Sequence, residues 1–287
     1  MWEYNDTQET ELYHYGIKGM KWGVRKKYYK SYMDNDRTLK KGMNLQNIST
    51  NEARDVSRDS SVYTSHTRHD NDGYSGRYAS QMTFWGDKAI KNSLVITKDV
   101  KVPSQKKAVE TFVEMYKNDP KGVSDSIGRA YAEVYYFNGI DRIRQANAQR
   151  IAKKFSKKGE DWLATKGYLL FNQSLMATKE DRARTQYYNL LMKKGYDAIS
   201  DVNDIQTGYG ADDPIIFINP KNTLKNVKSR ELTADEIELA NARYEYDVAY
   251  KRRGIVDSLT TQEYKYAKKH LEYVEKKQNI KNTHVRR

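Results

Sequence analysis

His66, Arg68, His69, Asp70 and Asp72 crowd into one short stretch, HTRHDND. A His-x-x-His pair with neighbouring carboxylates is part of a metal-ligand set, but a closed site needs a further ligand at fixed spacing, and none follows. Asp70-Asn71-Asp72-Gly73 is similar to the opening of a calcium loop, yet the Glu that would complete the coordination is missing. No metal is therefore expected. The stretch still sits in a long polar loop, His66 to Tyr78, and such loops between strands are where sites gather. Nucleophilic catalysis has few candidates besides. The chain has no Cys, five His, no P-loop, no G-x-S-x-G and no H-E-x-x-H.

Charge offers a second kind of chemistry. Arg142, Arg144, Arg150, Lys153, Lys154, Lys157 and Lys158 flank Ile143, Ile151 and Phe155, with no acid between 142 and 158. Helical spacing there gathers cations on one face, either as a solvated surface or as a phosphate-contacting one. The N-terminal residues 1–12 carry Glu3, Asp6, Glu9 and Glu11 and no Lys or Arg, as a flexible tail would. From Tyr13 to Lys27 the character inverts: basic residues, aromatics and three Gly, without an acid. Gly16, Gly19 and Gly23 work against a helix. Trp22 and Tyr15 beside Lys and Arg suit an extended segment that docks in a groove or stacks on nucleic acid, or a strand of the domain.

Within that segment, YHYGIKGMKWGVRK resembles a short motif of proteins from tailed phages and prophages of Gram-positive bacteria, often near a terminus of structural or head-associated proteins. The matching residues are His14, Gly16, Ile17, Lys18, Gly19, Met20, Lys21, Trp22, Gly23, Val24 and Arg25. The resemblance implies a phage origin, virion association and a partner among phage head or assembly proteins. Residues 1–27 are then expected to be separable from the fold.

The elements that must position these groups are legible in part. Gly195 to Val227 carries the densest strand signal: Ala198-Ile199-Ser200, then Ile215 to Ile218 between Pro214 and Pro220. Strands are expected near 42–50, 61–65, 93–102, 197–200 and 214–219, with Leu224 to Val227 as an edge segment. Ser104 caps a helix to about Lys117, with Ala108, Phe112, Val113 and Tyr116 on one face. Ser124 to Leu191 reads as helical. Thr233 and Glu236 form a capping box. Ile237, Ala240, Tyr244 and Val248, then Tyr264, Ala267, Leu271 and Val274, mark a helical hairpin. The expected fold is α+β: a small mixed β-sheet or open barrel over 38–230, a helical insertion at 104–194, a hairpin at 231–280 and a basic tail at 281–287.

A second resemblance follows from this order. A strand ending in Ile48-Ser49-Thr50, inserted helices, then GYDAI and PIIFINP are similar to ADP-ribosyltransferase-type domains of phage head proteins. In that family a strand-borne Arg or His and a Ser-Thr pair hold the nicotinamide cofactor, and a Glu-x-Glu orients the substrate. Ser49 and Thr50 match the pair, and Glu236-Ile237-Glu238 matches the string but opens a capped helix.

The net charge of +13, with 24 Tyr against 6 Phe, fits a polyanionic partner and wet interfaces. No apolar run approaches the roughly 18 residues of a membrane helix. The reading is a non-enzymatic, virion-associated or minor structural protein with protein and DNA contacts and no cofactor, in the virion or host cytoplasm. Its alternatives are an ADP-ribosyltransferase-type enzyme using NAD, or an early host-takeover protein.

Overall fold

The computed structural model describes residues 35–66, 79, 83–84, 86–135, 141–175, 182–201, 214–252 and 258–285. Its strands are β1 (Arg37–Leu39), β2 (Asn44–Thr50), β3 (Val62–His66), β4 (Ala89–Ile96), β5 (Val100–Val102), β6 (Ala198–Ser200), β7 (Ile215–Phe217) and β8 (Leu224–Glu231). The expected α+β class holds. Six strands form an open sheet in the order β6-β7-β3-β2-β4-β8, and β1 pairs with β5 in a two-stranded sheet. All pairings among the described strands are antiparallel, where a mixed sheet had been expected as one form.

The register explains the layers. Tyr63, Ile216 and Ile199 stand opposite one another on β3, β7 and β6 and share a face. That face packs against the helices, with Phe112, Phe171, Tyr187 and Leu191 fully buried beneath it. Leu45, Leu94, Val62 and Phe217 turn the other way and meet Leu39, Val100 and Val102 of the small sheet. The small sheet is tied beside β6: Arg37 Nη2 donates to Ser200 Oγ at 3.0 Å, and the Asp197 amide donates to the Lys101 carbonyl at 3.3 Å.

The expected strand over 93–102 divides in two. β4 begins earlier, at Ala89, and β5 leaves for the other sheet. The corner is fixed by Asp99, whose carboxylate accepts from the Lys41 amide at 2.9 Å and Lys40 Nζ at 2.8 Å. The Leu224 edge segment runs on to Glu231.

The helices are α1 (Gln105–Asn118), α2 (Pro120–Tyr135), α3 (Asp141–Phe155), the single turn α4 (Glu160–Trp162), a π-helical stretch (Leu163–Gly167), α5 (Tyr168–Ser174), α6 (Arg182–Lys193), the single turn α7 (Pro220–Thr223), α8 (Ala234–Arg252) and α9 (Ser258–Val285). Ser104 caps α1 by accepting from the Lys107 amide at 3.3 Å. Gly195, at φ 84°, ends α6: its amide reaches the Met192 carbonyl and the Tyr196 amide the Leu191 carbonyl, a Schellman closure that releases the chain into β6.

α8 and α9 form the expected hairpin. Glu238 pairs with Lys277 at 2.7 Å and Glu245 with His270 at 3.0 Å, so the helices run antiparallel. The facing stripe of α8 holds Ala242 and Ala249, both buried, spaced with Glu238 and Glu245. Ile237, on the stripe read from the sequence, belongs instead to a small cluster with Ile48, Ala89 and Leu232 on the sheet.

Candidate nucleic-acid interface

α3 is held by close backbone approach. A side chain at Gly128 of α2 would collide with the Ala148 carbonyl oxygen and stand 3.2 Å from the Ala152 amide. Glycine alone lets these two helices come so near. Ala152 and Phe155 turn inward and are buried, and Phe155 packs on Trp162 with ring centroids 5.0 Å apart. This fixes which face of α3 is left outside.

On that face Arg150, Lys153, Lys154, Lys157 and Lys158 line one open groove of ≈ 420 Å³. Arg150, Lys153 and Lys154 stand at i, i+3 and i+4 of α3, and Lys157 and Lys158 follow just beyond its end, after Ser156. Lys158 Nζ lies 5.7 Å from the centre of the Trp162 ring. Lys153 and Lys154 fall in the last turn, where cations also favour the helix dipole. Trp162 gives the groove an aromatic neighbour that the charge pattern alone did not indicate. Arg142 and Arg144 lie in the first turn of α3. Thus five of the seven predicted phosphate-contacting residues converge on one groove.

The other predicted sites fare differently. His66 ends β3, paired with Leu45 of β2. Arg68, His69, Asp70 and Asp72 lie outside the described residues, as do the motif residues His14 to Arg25. Among the described residues no group of three or more His, Asp or Glu side chains gathers as a metal would require.

Ser49 belongs to a buried polar network that sequence reasoning missed. Its hydroxyl accepts from Asn92 Nδ2 at 2.8 Å and donates to the Glu52 carbonyl at 2.5 Å. Asn92 Oδ1 accepts from the Arg54 amide at 2.9 Å, from Ser229 Oγ at 2.8 Å and from Asn226 Nδ2 at 3.2 Å. The network fastens the loop after β2 over the sheet. The available signal was the Asn and Ser placed inside β-branched strands, which must find partners once buried.

Glu236 is equally engaged. Arg230 grips its carboxylate at 2.6 and 2.8 Å, and the Thr233 amide donates at 2.9 Å, completing the capping box. The Arg230 hydrogen bonds are the main cause that brings its pKa down to about 2. Glu238 is the partner of Lys277. The Glu-x-Glu string is thus occupied by helix capping and hairpin pairing.

No helix among the described residues is long and apolar enough to cross a membrane. A model of a family of unknown function (DUF7211) matches residues 5–28, which include the motif residues 14–25. No curated protein and no solved structure matches the chain.

Proposed function

We propose that the protein is a structural, virion-associated component of a tailed phage that contacts DNA through α3 and is recruited through its N-terminal segment. The observation that carries the DNA contact is the groove lined, among the described residues, by Arg150, Lys153, Lys154, Lys157 and Lys158. Its described lining residues are all cations, the side chains that contact phosphate, so the binding proposed is to the backbone and indifferent to sequence. The family match confined to residues 5–28 supports the N-terminal segment as a unit of its own.

Such binding depends on counterion release. At about 0.9 per phosphate contact, at most five contacts give a slope of log K against log salt no steeper than about −4.5 on duplex DNA. Lys153→Glu with Lys157→Glu should reduce that slope by about two and weaken binding equally on unrelated sequences. Titrations at several salt concentrations check this; a salt-insensitive interaction, or none at low salt, sinks the DNA contact. Proteomics of purified particles tests the setting: a protein found in lysate and never in particles is not a virion component.

One observation favours a second reading, an ADP-ribosyltransferase-type enzyme that uses NAD to modify host proteins. β1 carries Arg37, a strand-borne Arg of the kind that family uses, ahead of the strand bearing Ser49 and Thr50, though in the smaller sheet. Host extract incubated with labelled NAD decides it, since no transferred label rules the enzyme out.

A further inference from the structure

Phe84, Val227, Tyr266 and Tyr273 are the large apolar side chains exposed among the described residues. The two tyrosines belong to one helix, α9, at 72% and 63% exposure. They are seven residues apart, which is two helical turns, so the rings share a face about 10.5 Å apart along the axis. The hairpin closes through another face of α9, where Ala267 and Val274 are buried. Tyrosine is also a poorer helix former than the Lys, Glu or Ala that usually fill exposed helical positions. Neither helix formation nor the hairpin accounts for the two rings.

Their neighbours are cations. Lys269 and Lys276 each follow a tyrosine by three residues, so Tyr-x-x-Lys recurs at 266–269 and 273–276. Lys265 borders the same face. All three lysines are exposed and make no hydrogen bond or ion pair with the described residues. Glu263 and Glu272 border this stripe without entering it, and Glu272 stands 3.8 Å from Lys268. Tyr266 is also set in place. Its ring stacks on that of His270, with centroids 6.2 Å apart, and His270 Nδ1 is 3.0 Å from Glu245 Oε2 of α8. A ring oriented in advance loses less freedom when a ligand stacks on it.

The pattern selects a ligand. A flat ring beside a free cation, repeated along a rod, matches a chain in which flat groups alternate with anions. Single-stranded nucleic acid is such a chain: its bases stack on aromatic side chains while its phosphates meet lysine. A duplex fits less well, since its base faces are covered by their own stack. A second copy of this chain fits badly too, because like faces would set lysine against lysine.

We infer that the Tyr266–Tyr273 face of α9 binds single-stranded nucleic acid without regard to sequence. Bases stack on the two tyrosines, and phosphates meet Lys265, Lys269 and Lys276. The site shares no residue with the α3 groove.

The test uses the full chain carrying Lys153→Glu and Lys157→Glu, which disables the α3 groove. That chain should still bind a labelled oligothymidine. Adding Tyr266→Ala with Tyr273→Ala should weaken the binding by about fivefold or more for each ring lost, with a nearly unchanged melting temperature. Tyr266→Phe with Tyr273→Phe should retain it, because the ring faces remain. A strand of the same length without bases should bind more weakly, and equally to the chain and its alanine variant. Lys269→Gln with Lys276→Gln should make the salt slope on oligothymidine shallower by about 1.4. An alanine variant that binds oligothymidine as tightly as its parent overturns the inference. So does loss of all single-strand binding once the α3 groove is disabled. A dimer that dissociates in the alanine variant, seen by sedimentation, would assign the face to a second copy instead. Duplex binding with the α3 groove intact reports separately on the proposed function.

Discussion

Gln46 shows what a single side chain can cost. It is buried in the middle of the sheet, and neither its amide nitrogen nor its amide oxygen has a hydrogen-bond partner among the described residues. An unpaired buried amide loses its hydration without return, at roughly 1–3 kcal/mol. Gln46→Met keeps the shape and removes the polar atoms, so it should raise stability, seen as a higher urea midpoint with unchanged slope. Glu236 works in the opposite sense. Its pKa falls from the ordinary 4.5 to about 2 on folding, chiefly through the Arg230 hydrogen bonds. A depressed carboxylate contributes stability that is complete above its unfolded value and is lost as pH falls through the folded one. Stability should therefore decline between about pH 5 and pH 2, and Glu236→Gln should flatten that part of the curve. Urea midpoints at pH 7 and pH 3 give the comparison.

At the scale of elements, the crossing of α2 and α3 is the sensitive joint. Gly128→Ala drives a methyl group into the Ala148 carbonyl, so the helices must separate. A loss of roughly 1–3 kcal/mol is expected, as for other overpacked contacts. DNA affinity should fall with it, because α3 carries the groove; thermal melting and a binding titration check the two together. This joint was not legible in the sequence. Gly128 sits in a helical run, and helical period alone does not say which neighbour comes close. The basic face was legible, because charge at helical spacing needs no tertiary information. So were the caps at Ser104 and Thr233, which are local chemistry. β1 went unread because three residues, Arg37 to Leu39, are too few to show an alternation. The division of 93–102 was hidden for a related reason: apolar residues continue through Val100 and Val102, and only the pairing partners distinguish the two strands. The hairpin was legible as two helices, but its facing stripe of alanines was not, since alanine is also the commonest filler of any helix.

For the whole molecule, the proposed function divides the labour between the α3 groove and the N-terminal residues that carry the motif. Removing residues 1–27 should leave the melting temperature nearly unchanged and abolish incorporation into particles. Trp22→Ala should do much the same for incorporation, because aromatic anchors supply most of the affinity of a docked peptide. A drop of many degrees on deletion would instead make the segment part of the core. Calorimetry and particle composition provide both readings.

Asp36 marks the place where that segment meets the body. One carboxylate oxygen accepts from the Ser104 amide at 3.0 Å, and the other accepts from Lys107 Nζ at 2.6 Å and Tyr196 OH at 2.8 Å. Burial would raise its pKa, but these three donors outweigh it and hold the carboxyl below the usual range. If the motif is seized by a partner, tension enters the protein here. β1 is a three-residue strand and would peel from β5 one bond at a time under such a load. Asp36 diverts the pull before it reaches β1, into the first turn of α1 and the ring of Tyr196, both rooted in the aromatic core. One ionised side chain thus serves as a mooring: the segment can be tugged without unravelling the sheet behind it.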